Sequence, residues 1–241
     1  MISILIPIYN GVEFICESVS SVLRQTYGEW ELIIGINGHP QDSSVYKIAK
    51  EYEKMTNKIR VLDLYKIKGK SNALNEMIKH CSFNYVAILD VDDIWHERKL
   101  ELQAQMLNKF DVIGSSCVWF GDRPGVVPHI PVGDISNYDF SSVNPIINSS
   151  SVIRKELCYW NENGIEDYDL WLKLRNQNKR FFNFKEILVK HRIHSASAFN
   201  SKGNNDKVDN LLLSHGFKGR ADQIDAAKIT IPHVNKIHMK I

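Results

Sequence analysis

Ser3-Ile4-Leu5-Ile6-Pro7-Ile8 runs into Tyr9-Asn10-Gly11, and Val12, Ile15, Val19, Val22 and Leu23 follow at helical spacing. The six leading residues read as a buried strand, and Tyr9-Asn10-Gly11 reads as the turn that stops it. Glu13, Glu17 and Arg24 fall on the far side of the helical stretch, so that helix is amphipathic and buries one face. A strand, a short turn and a helix packed back on it form the unit from which parallel α/β sheets are built.

The unit recurs along the first half of the chain. Glu31-Leu32-Ile33-Ile34-Gly35-Ile36 is a second strand, ended by Asn37-Gly38-His39-Pro40, and Asp42-Ser43-Ser44 supplies caps for a helix reaching Met55. Arg60-Val61-Leu62-Asp63-Leu64-Tyr65 is a third strand. After Gly69-Lys70-Ser71, the residues Ala73, Leu74, Met77, Ile78 and Cys81 outline its helix. Tyr85-Val86-Ala87-Ile88-Leu89 is a fourth strand, entering Asp90-Val91-Asp92-Asp93, and Leu100, Ala104 and Leu107 mark the next helix. Such repetition predicts an α/β fold with a mainly parallel, Rossmann-like sheet covered by helices on both faces. Sheets of this type bind ligands at the carboxyl ends of their strands. Tyr9-Asn10, Asn37-Gly38 and Asp90 to Asp93 are therefore expected to share one edge.

The second half is less regular. Val112-Ile113-Gly114 and Cys117-Val118-Trp119-Phe120 are strand-like, a Pro/Gly-bearing loop spans Asp122 to Gly133, Asp169 to Asn176 looks helical, and Phe181 to Val189 strand-like. From Ser201 onward the chain is polar and basic, with a short helix signal at Val208 to Ser214. The expected organisation is one domain over 1–200, divided near residue 110, with 201–241 as a helical or extended arm at its periphery.

Asp90-Val91-Asp92-Asp93 is the most informative local feature. If the strand continues through it, Asp90 and Asp92 point to one side, because strand side chains alternate. Two adjacent carboxylates repel, and a hard divalent cation relieves that repulsion. A site with few protein ligands suits Mg²⁺ or Mn²⁺ with substrate phosphates completing the shell. The plain alternative is a solvated loop and a helix cap, and the position at a strand's carboxyl end favours the metal.

Composition narrows the class. The 241 residues are 44% hydrophobic and 24% charged, which excludes wholesale disorder. Thirty basic residues nearly balance twenty-eight acidic ones, so charge gives no argument for nucleic acid as a partner. No apolar run approaches the roughly 18 residues of a membrane span. Met1-Ile2-Ser3-Ile4 lacks the basic lead of a signal peptide, so the expected location is cytoplasmic, or a host's cytoplasm for a viral gene. Approach to an anionic membrane through the C-terminal lysines, and a homo-oligomer, stay open. Cys16, Cys81, Cys117 and Cys158 lie far apart without a Cys-x-x-Cys pair and are expected to be reduced, with Cys16 and Cys81 on apolar helix faces.

Four segments together resemble family 2 glycosyltransferases of the GT-A fold. They are Ser3 to Asn10 with Ser18-Val19-Ser20-Ser21-Val22-Leu23-Arg24-Gln25-Thr26-Tyr27; Glu31-Leu32-Ile33-Ile34; Ala73-Leu74-Asn75 with Tyr85 to Trp95; and Glu166-Asp167-Tyr168-Asp169-Leu170-Trp171-Leu172 with Leu188-Val189-Lys190-His191-Arg192-Ile193-His194. Their order and spacing agree over residues 1 to 197.

The resemblance implies transfer of a sugar from a nucleoside diphosphate sugar, a UDP-sugar foremost, to an acceptor hydroxyl with inversion. The acceptor could be a glycan, a lipid-linked group or a protein. By that pattern Pro7, Tyr9, Asn10 and Asn37 border the nucleoside, with Lys70, Asn75, Asp90 and Val91 completing the donor site. Asp92, with Asp90 and His194, would hold Mn²⁺ or Mg²⁺, and Asp167 would be the catalytic base with Glu166 beside it. The plain readings are acidic residues favoured by a helix dipole at Glu166-Asp167, a solvated Lys70 and ordinary histidines at His191 and His194. Trp95, Tyr168 and Trp171 read as core or pocket wall.

The chain departs from the pattern in two places. Ile36-Asn37 stands where two acids are usual, although an Asn amide oxygen still accepts a hydrogen bond from a base. Leu74 stands where an arginine is frequent. No Gln-x-x-Arg-Trp motif of processive polymerases is present, which favours single additions. Asn144-Pro145-Ile146-Ile147-Asn148-Ser149-Ser150-Ser151 is expected to line the acceptor side. Two other functions compete. A nucleotidyltransferase would want a Gly-rich basic loop after the first strand. A non-catalytic nucleotide-sugar or carbohydrate-binding module would keep the fold without the chemistry.

Overall fold

The structure, a computed structural model, describes residues 1–162, 165–194 and 204–217. Its elements follow the expected alternation. They are β1 (Ile2–Ile8), α1 (Ile15–Leu23), β2 (Trp30–Asn37), α2 (Ser44–Lys50), β3 (Ile59–Leu64), α3 (Lys70–Met77) and β4 (Tyr85–Ile88). Then come β5 (Ile94–Trp95), α4 (Lys99–Ala104), β6 (Val112–Gly121), β7 (Gly133–Asp134), β8 (Val152–Arg154), α5 (Glu166–Asn176), β9 (Phe181–Ile193) and α6 (Asn204–Ser214).

One mixed sheet runs β3-β2-β1-β4-β8-β6-β9-β5, with β7 also on β9. β3, β2, β1 and β4 are parallel, Ile4 standing between Leu32 and Ala87. β8 joins β4 and β6 antiparallel, and β6 and β9 pair in parallel with register shifts at Ser115 to Cys117. The fold class is as expected. The second half differs in detail, because the two strand signals at Val112 and Cys117 are one long β6 and the Phe181 strand runs on to Ile193.

The alternation of β1 divides the core in two. Ile2, Ile4, Ile6 and Ile8 face one cluster, closed by Ile15, Val19 and Val22 of α1, Ala49 of α2 and Leu100 of α4. Leu5 faces the other, closed by Ala73, Leu74 and Met77 of α3, Leu170 to Leu172 of α5, and Leu211 and Leu212 of α6. Each such fully buried aliphatic side chain contributes about 1.5–3 kcal/mol. Tyr168 and Trp171 belong to the second cluster and Trp95 to the first, so all three are core. α6 thus packs on the domain through its two leucines; residues 218–241 of the expected arm lie outside the described residues.

One local expectation changes. Cys16 is exposed, because α1 turns Ile15, Ser18, Val19 and Val22 inward instead. All four cysteines are free. In α4, Lys99 is fully buried: its Nζ donates to Gln103 Oε1 at 2.8 Å and lies 3.9 Å from the Trp95 ring centre. Burial pushes its ammonium well below the usual lysine range. Gln103 in turn donates to the carbonyls of Ile113 and Ser150, so this polar core stitches α4 to the second half.

Candidate active site

The carboxyl ends of β1, β2 and β4 meet as the alternation requires. Gly11 has φ +88°, and a Cβ there would stand 3.0 Å from Val91 Cγ1. Gly38 has φ +74°, and a Cβ there would meet the Tyr9 ring at 2.8 Å. Both positions therefore need glycine, for backbone conformation and for space. The result is a small platform: the exposed Tyr9 ring lies on Gly38, and His39 Nε2 sits 2.5 Å from the Tyr9 carbonyl oxygen. Asn10 is exposed beside it, Asn37 is buried at the end of β2, and Pro7 is buried inside β1.

The acidic cluster is a turn, not a strand continuation. β4 stops at Ile88, and Asp93 N–H donates to the Asp90 carbonyl at 3.0 Å. Each carboxylate therefore takes its own direction. Asp90 meets Lys70 Nζ at 2.6 Å and accepts from Asn148 Nδ2 at 3.1 and 3.2 Å, while its backbone N–H donates to Ser149 Oγ at 3.1 Å. Burial works against its ionisation, but Lys70 and Asn148 outweigh burial and hold its pKa below the usual range. Asp92 Oδ2 stands 3.1 Å from His194 Nε2. Burial, with Asp93 and Asp90 nearby, raises its pKa.

Asp93 is fully buried and accepts from the Arg192 N–H at 2.8 Å, with His191 Nδ1 at 3.1 Å. Burial opposes protonation of His191, yet Asp93 lifts its pKa to about 9, so this is an ion pair at neutral pH. Arg192 donates to the Asp92 carbonyl at 2.9 Å and to Glu17 at 2.7 Å. Its guanidinium lies 4.3 Å from the ring centres of both Phe14 and Phe120. The end of β9 is thereby fastened to the acidic turn and to α1, which is what brings His194 to Asp92.

The second acidic pair opens α5. Lys70, the first residue of α3, lies 3.5 Å from Glu166 Oε1 as well as on Asp90. Burial opposes its charge, but Asp90, Glu166 and Asp167 raise its pKa above the ordinary lysine value. Asp167 accepts from Asn144 Nδ2 at 3.1 Å. Burial, then Glu166, push its carboxyl up to about 6, with Lys70 pulling the other way. Among the described residues, the buried Asn144 Oδ1 has no hydrogen-bond partner.

The profile of glycosyl transferase family 2 matches residues 3–202. The chain belongs to that family. The O-antigen biosynthesis glycosyltransferase WbnJ of Escherichia coli is 28% identical over 211 residues, covering 82% of this chain and 81% of WbnJ. The E. coli UDP-Glc:alpha-D-GlcNAc-diphosphoundecaprenol beta-1,3-glucosyltransferase WfgD is 28% identical over 212 residues, covering 84% of this chain and 81% of WfgD. Two rickettsial relatives are longer, and the chain spans 37% and 38% of their lengths. Among solved structures, S. aureus TarS 1-349 in complex with UDP-GlcNAc superposes with a TM-score of 0.72 at 15% identity, covering 93% of this chain and 69% of that one. The fold is that of the GT-A neighbours, and the chain is a glycosyltransferase.

Within this family 2 glycosyltransferase, the structure distributes the expected residues unevenly. It brings Lys70, Asp90, Glu166 and Asp167 into one charged cluster, and Asp92 together with His194. Three residues take other partners. Asn75 Nδ2 donates to the Trp160 carbonyl at 2.7 Å and Asn75 Oδ1 accepts from Trp160 N–H at 3.0 Å, so its amide pins the loop before α5. Val91 turns its side chain into the first core cluster. Asp90 is engaged by Lys70 and Asn148. The segment 144–151 holds both Asp90, through Asn148 and Ser149, and Asp167, through Asn144. Sequence reasoning missed Arg192 and the Asp93–His191 pair, whose partners lie about a hundred residues apart and carry no local signal.

Among the described residues no group of three or more His, Cys, Asp or Glu could hold a metal ion alone. The Asp92–His194 pair supplies one carboxylate and one imidazole, a set suited to Mn²⁺ or Mg²⁺ only when other oxygens complete the shell. Burial first, and then the neighbouring Asp93 and Asp90, disfavour the ionised form of Asp92, and a bound cation would favour it.

Proposed function

We propose that this glycosyltransferase moves a sugar from a UDP-sugar to an acceptor hydroxyl with inversion, with Asp167 as the base. The observation that carries the reading is Lys70, which contacts Asp90 at the end of β4 and Glu166 at the start of α5 and so joins the donor edge to the acidic pair. The bound UDP-GlcNAc of TarS and the UDP-glucose named for WfgD support the donor class.

The exposed Tyr9 ring offers a stacking face for the base, and Asn37 an amide beside it. Asp92 and His194 would hold Mn²⁺ or Mg²⁺, which when bound supplies Lewis-acid stabilisation of the departing diphosphate. Lys70 adds fixed positive charge between the donor edge and the acids. It stands one helical turn before Leu74, on the same face of α3, where the sequence lacks an arginine. Asp167 accepts the acceptor's proton on the side of the sugar opposite the leaving group. A pKa of about 6 keeps it ionised at neutral pH while leaving it more basic than an ordinary aspartate. Asn144 fixes one Asp167 oxygen and leaves its own Oδ1 for a sugar or acceptor hydroxyl.

WfgD's named acceptor is a lipid diphosphate sugar. A lipid-linked acceptor is the class we assign here, with the protein peripheral to the membrane. Among the described residues no helix is long and apolar enough to cross a membrane.

A thermal-shift panel of UDP, GDP, CDP and dTDP, each with and without Mn²⁺, tests the donor site, since a ligand bound only to the native state raises stability. A manganese-dependent shift with UDP alone is expected. A shift with another base reassigns the donor, and no shift with any nucleotide favours a binding module without transfer.

A further inference from the structure

The family match ends at residue 202, and α6 with the turn after it lies beyond it. That segment nevertheless reaches the helix that carries the acids. His215 Nε2 stands 2.7 Å from Asp169 Oδ1, and both side chains are nearly buried. Asp169 is two residues past Asp167 in the first turns of α5. Its other oxygen accepts from Asn161 Nδ2 at 2.7 Å, and the Asn161 carbonyl accepts from Ser71 Oγ of α3 at 2.9 Å. Asn176, at the end of α5, donates back to the His215 carbonyl at 3.0 Å. The chain of contacts therefore runs from α3, next to Lys70, through α5 to the C-terminal segment.

This anchorage adds to the ties that Lys70 makes to Glu166 and Asn144 makes to Asp167 in the same first turn. Among the described residues, Tyr168 donates to the Phe140 carbonyl, Trp171 to the Ile146 carbonyl and Arg175 to the Tyr138 carbonyl, which ties α5 to the segment 138–146. Among the described residues, a cavity of about 290 Å³ lies beside Asp169, lined by Ile165, Asp169, Lys207, Asn210, Leu211 and Ser214.

We propose that His215 is a positioning residue for glycosyl transfer: through Asp169 it latches the C-terminal helix to α5 and fixes the turn that presents Glu166 and Asp167. The inference rests on the reading of Asp167 as the base. A displaced base costs rate steeply, on the order of 100-fold for about 1 Å, so a modest loosening of this turn is visible in kcat.

The test compares the full chain with His215→Ala and His215→Gln, the latter keeping a side-chain donor for Asp169. Amide exchange is read over α5 and over β1 to β4, UDP affinity is measured with Mn²⁺, and turnover is followed as UDP release from UDP-glucose. For His215→Ala we expect exchange about tenfold faster in the first turns of α5 and unchanged in β1 to β4. We expect kcat about tenfold lower with donor KM within about twofold, and His215→Gln to restore both. Unchanged exchange in α5, exchange raised equally throughout the sheet, or a loss that Gln does not rescue overturns the latch. Asp167→Asn separates the two readings. If Asp167→Asn turns over normally, the base assignment fails and this inference with it; if it is inactive while His215→Ala is unimpaired, the latch alone fails. A wild-type chain that binds UDP but releases none from UDP-glucose overturns that donor, and the exchange data then decide the latch.

Discussion

The two halves of the sheet are built on different scales. In the first half, β1 to β4 are parallel neighbours, and each strand, turn and helix closes within one local unit. In the other half, β8 is three residues long, β6 and β9 pair with register shifts, and the useful contacts span the chain. Asn148 holds Asp90, His194 reaches Asp92, and Arg192 reaches Glu17. The lesson is a mutual dependence of the two acidic groups: the first half carries its acids on a turn that the other half holds in place, and the other half carries Glu166 and Asp167 on a helix whose first turn Lys70 of the first half reaches.

Breaking each acid separately is the sharpest way to test that dependence. Asp167→Asn is expected to bind UDP with Mn²⁺ as the wild type does and to lose about 10²–10⁴-fold in turnover, the usual worth of a general base. Wild-type turnover should rise as pH passes through about 6, where the Asp167 carboxyl ionises, and level off above it; a pH profile with no such limb removes Asp167 from the role. Asp92→Ala should do the opposite and abolish the manganese-dependent thermal shift with the fold intact. A metal-dependent shift that survives in Asp92→Ala places the cation elsewhere.

Lys70→Met tests the bridge. Losing a charge-assisted contact worth about 1.5–3 kcal/mol should lower turnover by roughly 10–100-fold. It should also raise the Asp167 pKa, moving the rising limb to higher pH, and an unmoved limb would show that Lys70 does not act on the base. The smallest effect concerns stability. Because the folded-state pKa of Asp167 is raised, its ionisation costs stability as pH rises toward and past about 6. Asp167→Asn should therefore melt higher than the wild type at pH 8, and the gap should close as pH falls toward 4. A gap independent of pH would mean that the asparagine stabilises for another reason.

Legibility in the sequence follows the same division. Ile4, Ile34 and Ile88 announce buried parallel strands because their neighbours in sequence share their environment, and the strand ends then locate Tyr9, Asn37 and the acidic turn. What remained hidden depends on side chains that meet from far apart. Nothing near Asp93 marks it as a buried partner for His191 and Arg192, and nothing near Asn75 shows that its amide is committed to Trp160. Asp90 and Asp92 look equivalent as a spaced pair. They separate because the strand ends at Ile88 and a turn sends one to Lys70 and the other to His194.

Lys99 has a consequence of another kind. It lies where α4 meets the second half, its amine buried between the Trp95 ring and Gln103, while Gln103 holds the carbonyls of Ile113 and Ser150. A lysine whose pKa is depressed carries more of its neutral, nucleophilic form than surface lysines do at the same pH. Yet no reagent can touch it while the joint is shut. Covalent labelling of this amine would therefore report any opening of the joint between the halves.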